Sequence, residues 1–119
     1  MGTAGAAVPR ITPGEANRLM ARGNALVVDV RETYEIVRSG KVAGAVHVPC
    51  GSLELRADPT TPYYDERFDK NKTIILYCAV GERSALGGAI LKDLGYNEVY
   101  NLGAFQGWVD SGGSVEAIG

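Results

Sequence analysis

Histidine occurs once, at His47, and cysteine twice, at Cys50 and Cys78, with no C-x-x-C anywhere in the chain. That scarcity removes the ligand spacings by which zinc is usually held, so no metal is expected. Two cysteines in unlike surroundings make no disulfide framework, and a reducing, cytoplasmic setting is expected. Also missing is any apolar run near the roughly 20 residues that span a bilayer. The opening MGTAGAAVPR lacks the basic and then apolar regions of a secretory signal, and no membrane contact is expected. Charge of one sign is missing too: twelve Lys and Arg stand against fourteen Asp and Glu, and the basic residues are scattered rather than gathered in a stripe. Nucleic acid is therefore not an expected partner. No internal repeat or low-complexity tract appears, and nothing calls for a cofactor.

What is present is the composition of a folded protein, 45% hydrophobic and 22% charged over 119 residues, which suits one domain. Residues 1–9 are small and read as a flexible segment, with the domain at 10–119. Thr12-Pro13-Gly14-Glu15 combines an N-cap threonine, a proline at N1 and a glutamate at N3, which is a capping box opening a helix to about Arg22. Ala25-Leu26-Val27-Val28-Asp29-Val30 is too short and too valine-rich for a helix and reads as a strand covered on both faces. A short helix over Glu32–Arg38, a brief strand at Val46–Pro49 and a helical turn at Ser52–Leu55 follow. The polar stretch up to Asn71 reads as an ordered loop, because Tyr63, Tyr64 and Phe68 offer apolar surface that a free linker would not need. Thr73–Tyr77 is the strongest strand, followed by a helix reaching about Leu94, a last strand over Glu98–Asn101, and a helical stretch carrying Phe105 and Trp108. Alternation on this scale predicts an α/β fold with a mostly parallel sheet and helices on both faces.

In such sheets ligands bind beyond the carboxyl ends of the strands, and Cys78 stands at one, a few residues before a helix. Gly81 allows a positive φ in the short loop between them, and several amide N–H groups there have no helical partner. Converging on the sulfur, they would form an anion nest. Lowering a thiol by two units from about 8.5 needs about 2.7 kcal/mol of preference for the thiolate. A helix end supplies roughly 0.3–1 kcal/mol, so amide hydrogen bonds must supply most of the rest.

The run Cys78-Ala79-Val80-Gly81-Glu82-Arg83-Ser84 resembles the active-site loop of the rhodanese-like sulfurtransferases. Asp29-Val30-Arg31-Glu32 is similar to that family's D-V-R motif, Gly40–Pro49 to its G-H-I-x-G-A-x-x-x-P segment, and Gly103–Trp108 to its final G-G-x-x-x-W. The four matches lie in the family's order. The resemblance implies a single domain with a five-stranded parallel sheet and a ping-pong sulfur transfer through a Cys78 persulfide. The donor would be thiosulfate or another sulfane-sulfur compound, and the acceptor cyanide or a thiol, including one on a sulfur-accepting protein. Ala79, Val80, Gly81, Glu82, Arg83 and Ser84 would form the substrate-binding loop, with Asp29, Arg31 and Glu35 as structural support.

Lys41 stands where the family often has histidine, and Ala104 where it often has a second glycine. Ala79 and Val80 put no positive charge in the first half of the loop, and Glu82 adds a negative one, leaving Arg83 alone to meet a dianionic donor. Arg83 has two roles open to it, binding the donor or bracing the loop. Arg31 is expected to pair with Glu35 four residues later, and Asp29 to cap a turn. Cys50 reads as a spare thiol with a resolving role as its alternative, His47 as a packed residue, and Phe105 and Trp108 as core. Two other functions compete: a sulfur carrier or redox-signalling module, and a phosphatase or arsenate reductase. The latter use C-x-x-x-x-x-R, whereas four residues separate Cys78 from Arg83.

Overall fold

Six consecutive buried residues, Thr73–Cys78, make the middle of the protein a strand covered on both faces. The computed structural model describes residues 8–117. In chain order its elements are α1 (Pro13–Ala21), β1 (Ala25–Asp29), α2 (Thr33–Ser39), β2 (Lys41–Val42), β3 (Val46–His47), α3 (Leu53–Ala57), β4 (Thr73–Cys78), α4 (Glu82–Asp93), β5 (Glu98–Ala104), α5 (Phe105–Asp110) and β6 (Val115–Glu116). The capping box at Thr12 and Glu15 is present, with both of its hydrogen bonds formed. No helix among the described residues is long and apolar enough to cross a membrane.

The main sheet is parallel, in the order β3-β1-β4-β5, and has four strands where five were expected. The fifth position, beside β5, is taken by Pro9-Arg10-Ile11 through a single bridge from Arg10 to Asn101. The Asn101 N–H donates to Pro9 O at 2.9 Å and the Ile11 N–H to Asn101 O at 3.1 Å. Pro9 has no N–H to offer, so the ladder cannot lengthen there. Of the segment expected to be flexible, residues 1–7 lie outside the described residues, whereas Val8 is buried in the core.

Alternation along the strands separates two apolar layers. On one face Leu26, Val28, Ile74, Leu76 and Cys78 pack with Leu53, Phe68, Leu91 and Tyr96. On the other, Val27, Ile75 and Tyr77 pack with Ala16, Phe105 and Trp108. Mid-helix glycines cost about 1 kcal/mol each relative to alanine, yet α4 carries Gly87-Gly88 on its buried side. A Cβ on Gly87 would stand 2.9 Å from Leu53 Cδ2, and one on Gly88 2.8 Å from Val8 Cγ1. The pair lets α4 lie close to its neighbours and brings its first turn to the end of β4.

The 58–72 connection is ordered, as expected: Phe68 is fully buried edge-on to Tyr96, and the Tyr96 hydroxyl donates to Ala57 O at 2.6 Å. Tyr64 is half-buried, but Tyr63 is exposed and contributes no core surface. The sequence reading missed the antiparallel pair β2-β6, in which Lys41 faces Glu116. Lys41 Nζ donates to Glu116 Oε2 and to Ala45 O, both at 2.7 Å, so this lysine clasps the last strand.

At the carboxyl end of β1, Asp29 and Arg31 form a fully buried ion pair at 2.7 Å. Arg31 also donates to Ser39 Oγ and Gly40 O, and its guanidinium lies 4.3 Å from the Phe105 ring centre. The expected Arg31–Glu35 pair does not form. The buried carboxylate claims Arg31, while Glu35 turns to the Glu32 N–H and to Arg83.

Arg31→Met leaves an unpaired buried carboxylate and should cost about 3–5 kcal/mol in urea unfolding. Asp29→Leu combined with Arg31→Met should cost less than the two single losses added together.

Candidate active site

Cys78 ends β4 with its side chain fully buried, and the chain turns at once through Ala79 and Val80 into Gly81. Gly81 is the N-cap of α4 at φ 96°, a left-handed conformation that favours glycine. This turn aims the Gly81 N–H at Cys78 Sγ, 3.0 Å away. One turn into the helix, Ser84 Oγ lies 3.4 Å from the same sulfur. Burial pushes the Cys78 thiol up. The Ser84 hydroxyl, with the amides of Ser84, Gly81 and Val80, outweighs it and holds the thiol below its ordinary value.

A buried side chain that the sequence reading took only as the end of a strand organises these donors. Asn101 Nδ2 donates to Gly81 O at 3.1 Å, and Asn101 Oδ1 accepts from the Gly103 N–H at 2.8 Å. Those two bonds fix the amide's orientation, so its oxygen faces Ser84 Oγ at 2.7 Å. The serine has one proton to share among Asn101, Gly81 O and a thiolate at Cys78. The available signal was the presence of asparagine inside a strand, where its propensity is poor.

The remaining loop residues divide by exposure. Ala79 is half-buried, Val80 is 69% exposed, and Glu82 opens α4 in solvent. Arg83 directs both terminal nitrogens to Glu35, at 2.8 and 2.9 Å. The Arg83 hydrogen bonds hold the Glu35 carboxyl down at about 2. This geometry is that of a brace between α2 and α4. Cys50 Sγ lies 3.6 Å from Arg83 O, and burial, seconded by Cys78, pushes its thiol up. His47 Nε2 bonds to Arg31 O at 2.7 Å. A groove of about 230 Å³ between α1 and β5, lined by Ile11, Glu15, Arg18, Leu19, Arg22 and Tyr100, shares no residue with the cysteine loop. The groove is therefore separate from the cysteine loop.

The rhodanese-like domain family model matches residues 12–111. The human thiosulfate:glutathione sulfurtransferase is 28% identical over 112 residues, covering 88% of this chain and 96% of its own. The tRNA uridine(34) hydroxylase of Ehrlichia chaffeensis is 28% identical over 92 residues, and the chain spans only 33% of that protein's length. A Rhodopseudomonas palustris protein of unknown function, described as a possible tyrosine phosphatase, superposes with a TM-score of 0.85 at 34% identity, covering 95% of this chain and 88% of its own. A human single-domain sulfurtransferase superposes with a TM-score of 0.74 at 26% identity, covering 87% and 96%.

In a Cys50→Ser background, the ultraviolet absorbance of the thiolate should titrate below the range of an ordinary cysteine, and Ser84→Ala should move the midpoint up. The depressed Glu35 carboxyl contributes stability that is complete above the ordinary carboxyl value and is lost as pH falls toward about 2. Glu35→Gln should remove that acid-side slope from the unfolding midpoint, at a cost of at most about 1 kcal/mol at neutral pH because the pair is partly exposed.

Proposed function

The chain belongs to the rhodanese-like domain family, and from that premise we propose that it is a sulfurtransferase carrying a sulfane sulfur on Cys78. The observation that carries the reading is the set of neutral groups at the sulfur, with the Gly81 N–H donating at 3.0 Å and Ser84 Oγ 3.4 Å away. Neutral dipoles stabilise an anion without forming a tight ion pair, so they suit a charge that must move one atom outward. Cys78 thiolate attacks the outer sulfur of thiosulfate or of a persulfide. A bond forms from Cys78 Sγ to that sulfur, the donor's own bond to it breaks, and the electron pair leaves on sulfite or on a thiolate. The persulfide anion remains beside the same donors. Cyanide or an acceptor thiol then attacks the terminal sulfur and returns Cys78 as thiolate. Neither half-reaction calls for a histidine base, because the loop hydrogen bonds favour the thiolate form of Cys78.

A phosphatase reading is less well supported. With only four residues between Cys78 and Arg83, and Arg83 held by Glu35, the loop offers no free guanidinium of its own to a phosphoryl group. An RNA substrate like that named for the tRNA hydroxylases has little support, since this chain covers about a third of such a protein and its basic residues are scattered along the sequence.

Incubation with thiosulfate should raise the protein's mass by one sulfur atom, reversibly with dithiothreitol, and cyanide should then release thiocyanate. Cys78→Ser should do neither. Turnover of an aryl phosphate that is lost in Cys78→Ser would instead favour the phosphatase.

A further inference from the structure

Resting on the sulfur-transfer reading, we propose that Arg10 is the cation that receives the anionic end of the donor that Cys78 attacks, the end that carries sulfonate in thiosulfate. A thiolate and a dianion repel each other, and the loop does not relieve this: Ala79 and Val80 are uncharged, Glu82 is negative, and Arg83 is committed to Glu35. Arg10 comes from outside the loop and from the far end of the sequence. Its backbone bridges to Asn101, the residue whose side chain holds Gly81 O and Ser84 Oγ.

Its guanidinium lies against two glycines, Gly103 and the Gly81 whose amide donates to the sulfur. A Cβ on Gly103 would stand 2.7 Å from Arg10 Cζ and 3.0 Å from Nε, so the guanidinium fills the space a side chain would take at a residue whose φ of 91° already favours glycine. A Cβ on Gly81 would meet Arg10 Nη1 at 3.5 Å and Gly103 Cα at 3.4 Å. Gly81 is the residue whose amide donates to Cys78 Sγ. Arg10 is exposed, and among the described residues it makes no salt bridge. A planar fork of donors with no carboxylate to satisfy it among the described residues, set beside the glycine whose amide donates to Cys78 Sγ, suits a sulfonate or carboxylate on the substrate. Arg10 binds and orients; it forms no bond. In the thiosulfate step three negative charges are present before transfer, on Cys78 and thiosulfate, and three after it, on the persulfide and sulfite. A fixed cation therefore serves both sides of the step.

The test compares alkylation of Cys78 by iodoacetate and by iodoacetamide in the Cys50→Ser protein. The two reagents are nearly equal in size, so burial of the sulfur cancels in the ratio of their rates. Arg10→Gln should lower the iodoacetate to iodoacetamide ratio roughly tenfold, about the worth of one charge-assisted hydrogen bond, and Arg10→Lys should retain most of it. Persulfide loading from thiosulfate should show a KM raised by a similar factor in Arg10→Gln with little change in kcat. Loading from 2-hydroxyethyl persulfide, whose leaving group carries no sulfonate or carboxylate, should hardly change. An alkylation ratio equal in wild type, Arg10→Gln and Arg10→Lys would overturn the proposal while leaving sulfur transfer intact. A ratio that depends on Arg10 in a protein that no donor loads would overturn sulfur transfer and uphold Arg10 as the anion site.

Discussion

Burying a carboxylate and a guanidinium together at the end of β1 obliges the neighbouring elements to supply polar partners. Asp29 accepts from the Arg31 N–H and its side chain, and Arg31 reaches on to Ser39 Oγ and Gly40 O. The Tyr77 hydroxyl, raised by burial and by Asp29, also takes the Val42 N–H. These bonds tie the carboxyl ends of β1 and β4 to the end of α2 and the start of β2. Because α2 is fixed this way, Glu35 stands where Arg83 can reach it, and α4 is set against the cysteine. A charge pair two residues apart in sequence thus governs a loop some fifty residues downstream. Such pairs add little net stability, and their worth lies in admitting one arrangement.

Around Cys78 the protein separates two electrostatic tasks. The sulfur is served by dipoles, which are cheap to keep dry and do not hold the anion in place. Formal charges are kept one layer further out. Arg83 is spent on bracing α4 against α2, and Lys41 is spent on clasping β6. This division explains how a loop with no basic residue in its first half can still lower a thiol.

Much of the scaffold was legible in the sequence because its signals are local. The capping box at Thr12, the valine run of β1 and the Ile74-Ile75-Leu76-Tyr77 run of β4 each specify an element within one short window. Cys78 and the loop were found for the same reason, from a strand, a glycine and a helix start in succession. What escaped depends on residues far apart. Lys41 and Glu116 meet across most of the chain, and Arg31 chose a partner two residues back over one four residues on because burial, which spacing does not reveal, decided between them. Asn101 could be read as a strand residue but not as the hub of the loop, since two of its three partners, Gly81 and Ser84, lie some twenty residues upstream at the start of α4. The fifth strand shrank to one bridge because a single proline outranks the pattern expected of the fold.

The bridge from Arg10 to Asn101 has a dynamic consequence. It is the thinnest join in the sheet, held by two backbone hydrogen bonds and by Val8 seated on Gly88. Sheet margins of this kind open before the centre does, so its amides should exchange with solvent sooner than those of β4. Each opening would carry Arg10 away from the glycines it covers and strip one support from Asn101. Fraying at the margin therefore reaches Asn101, the side chain that holds Gly81 and Ser84 in place beside Cys78.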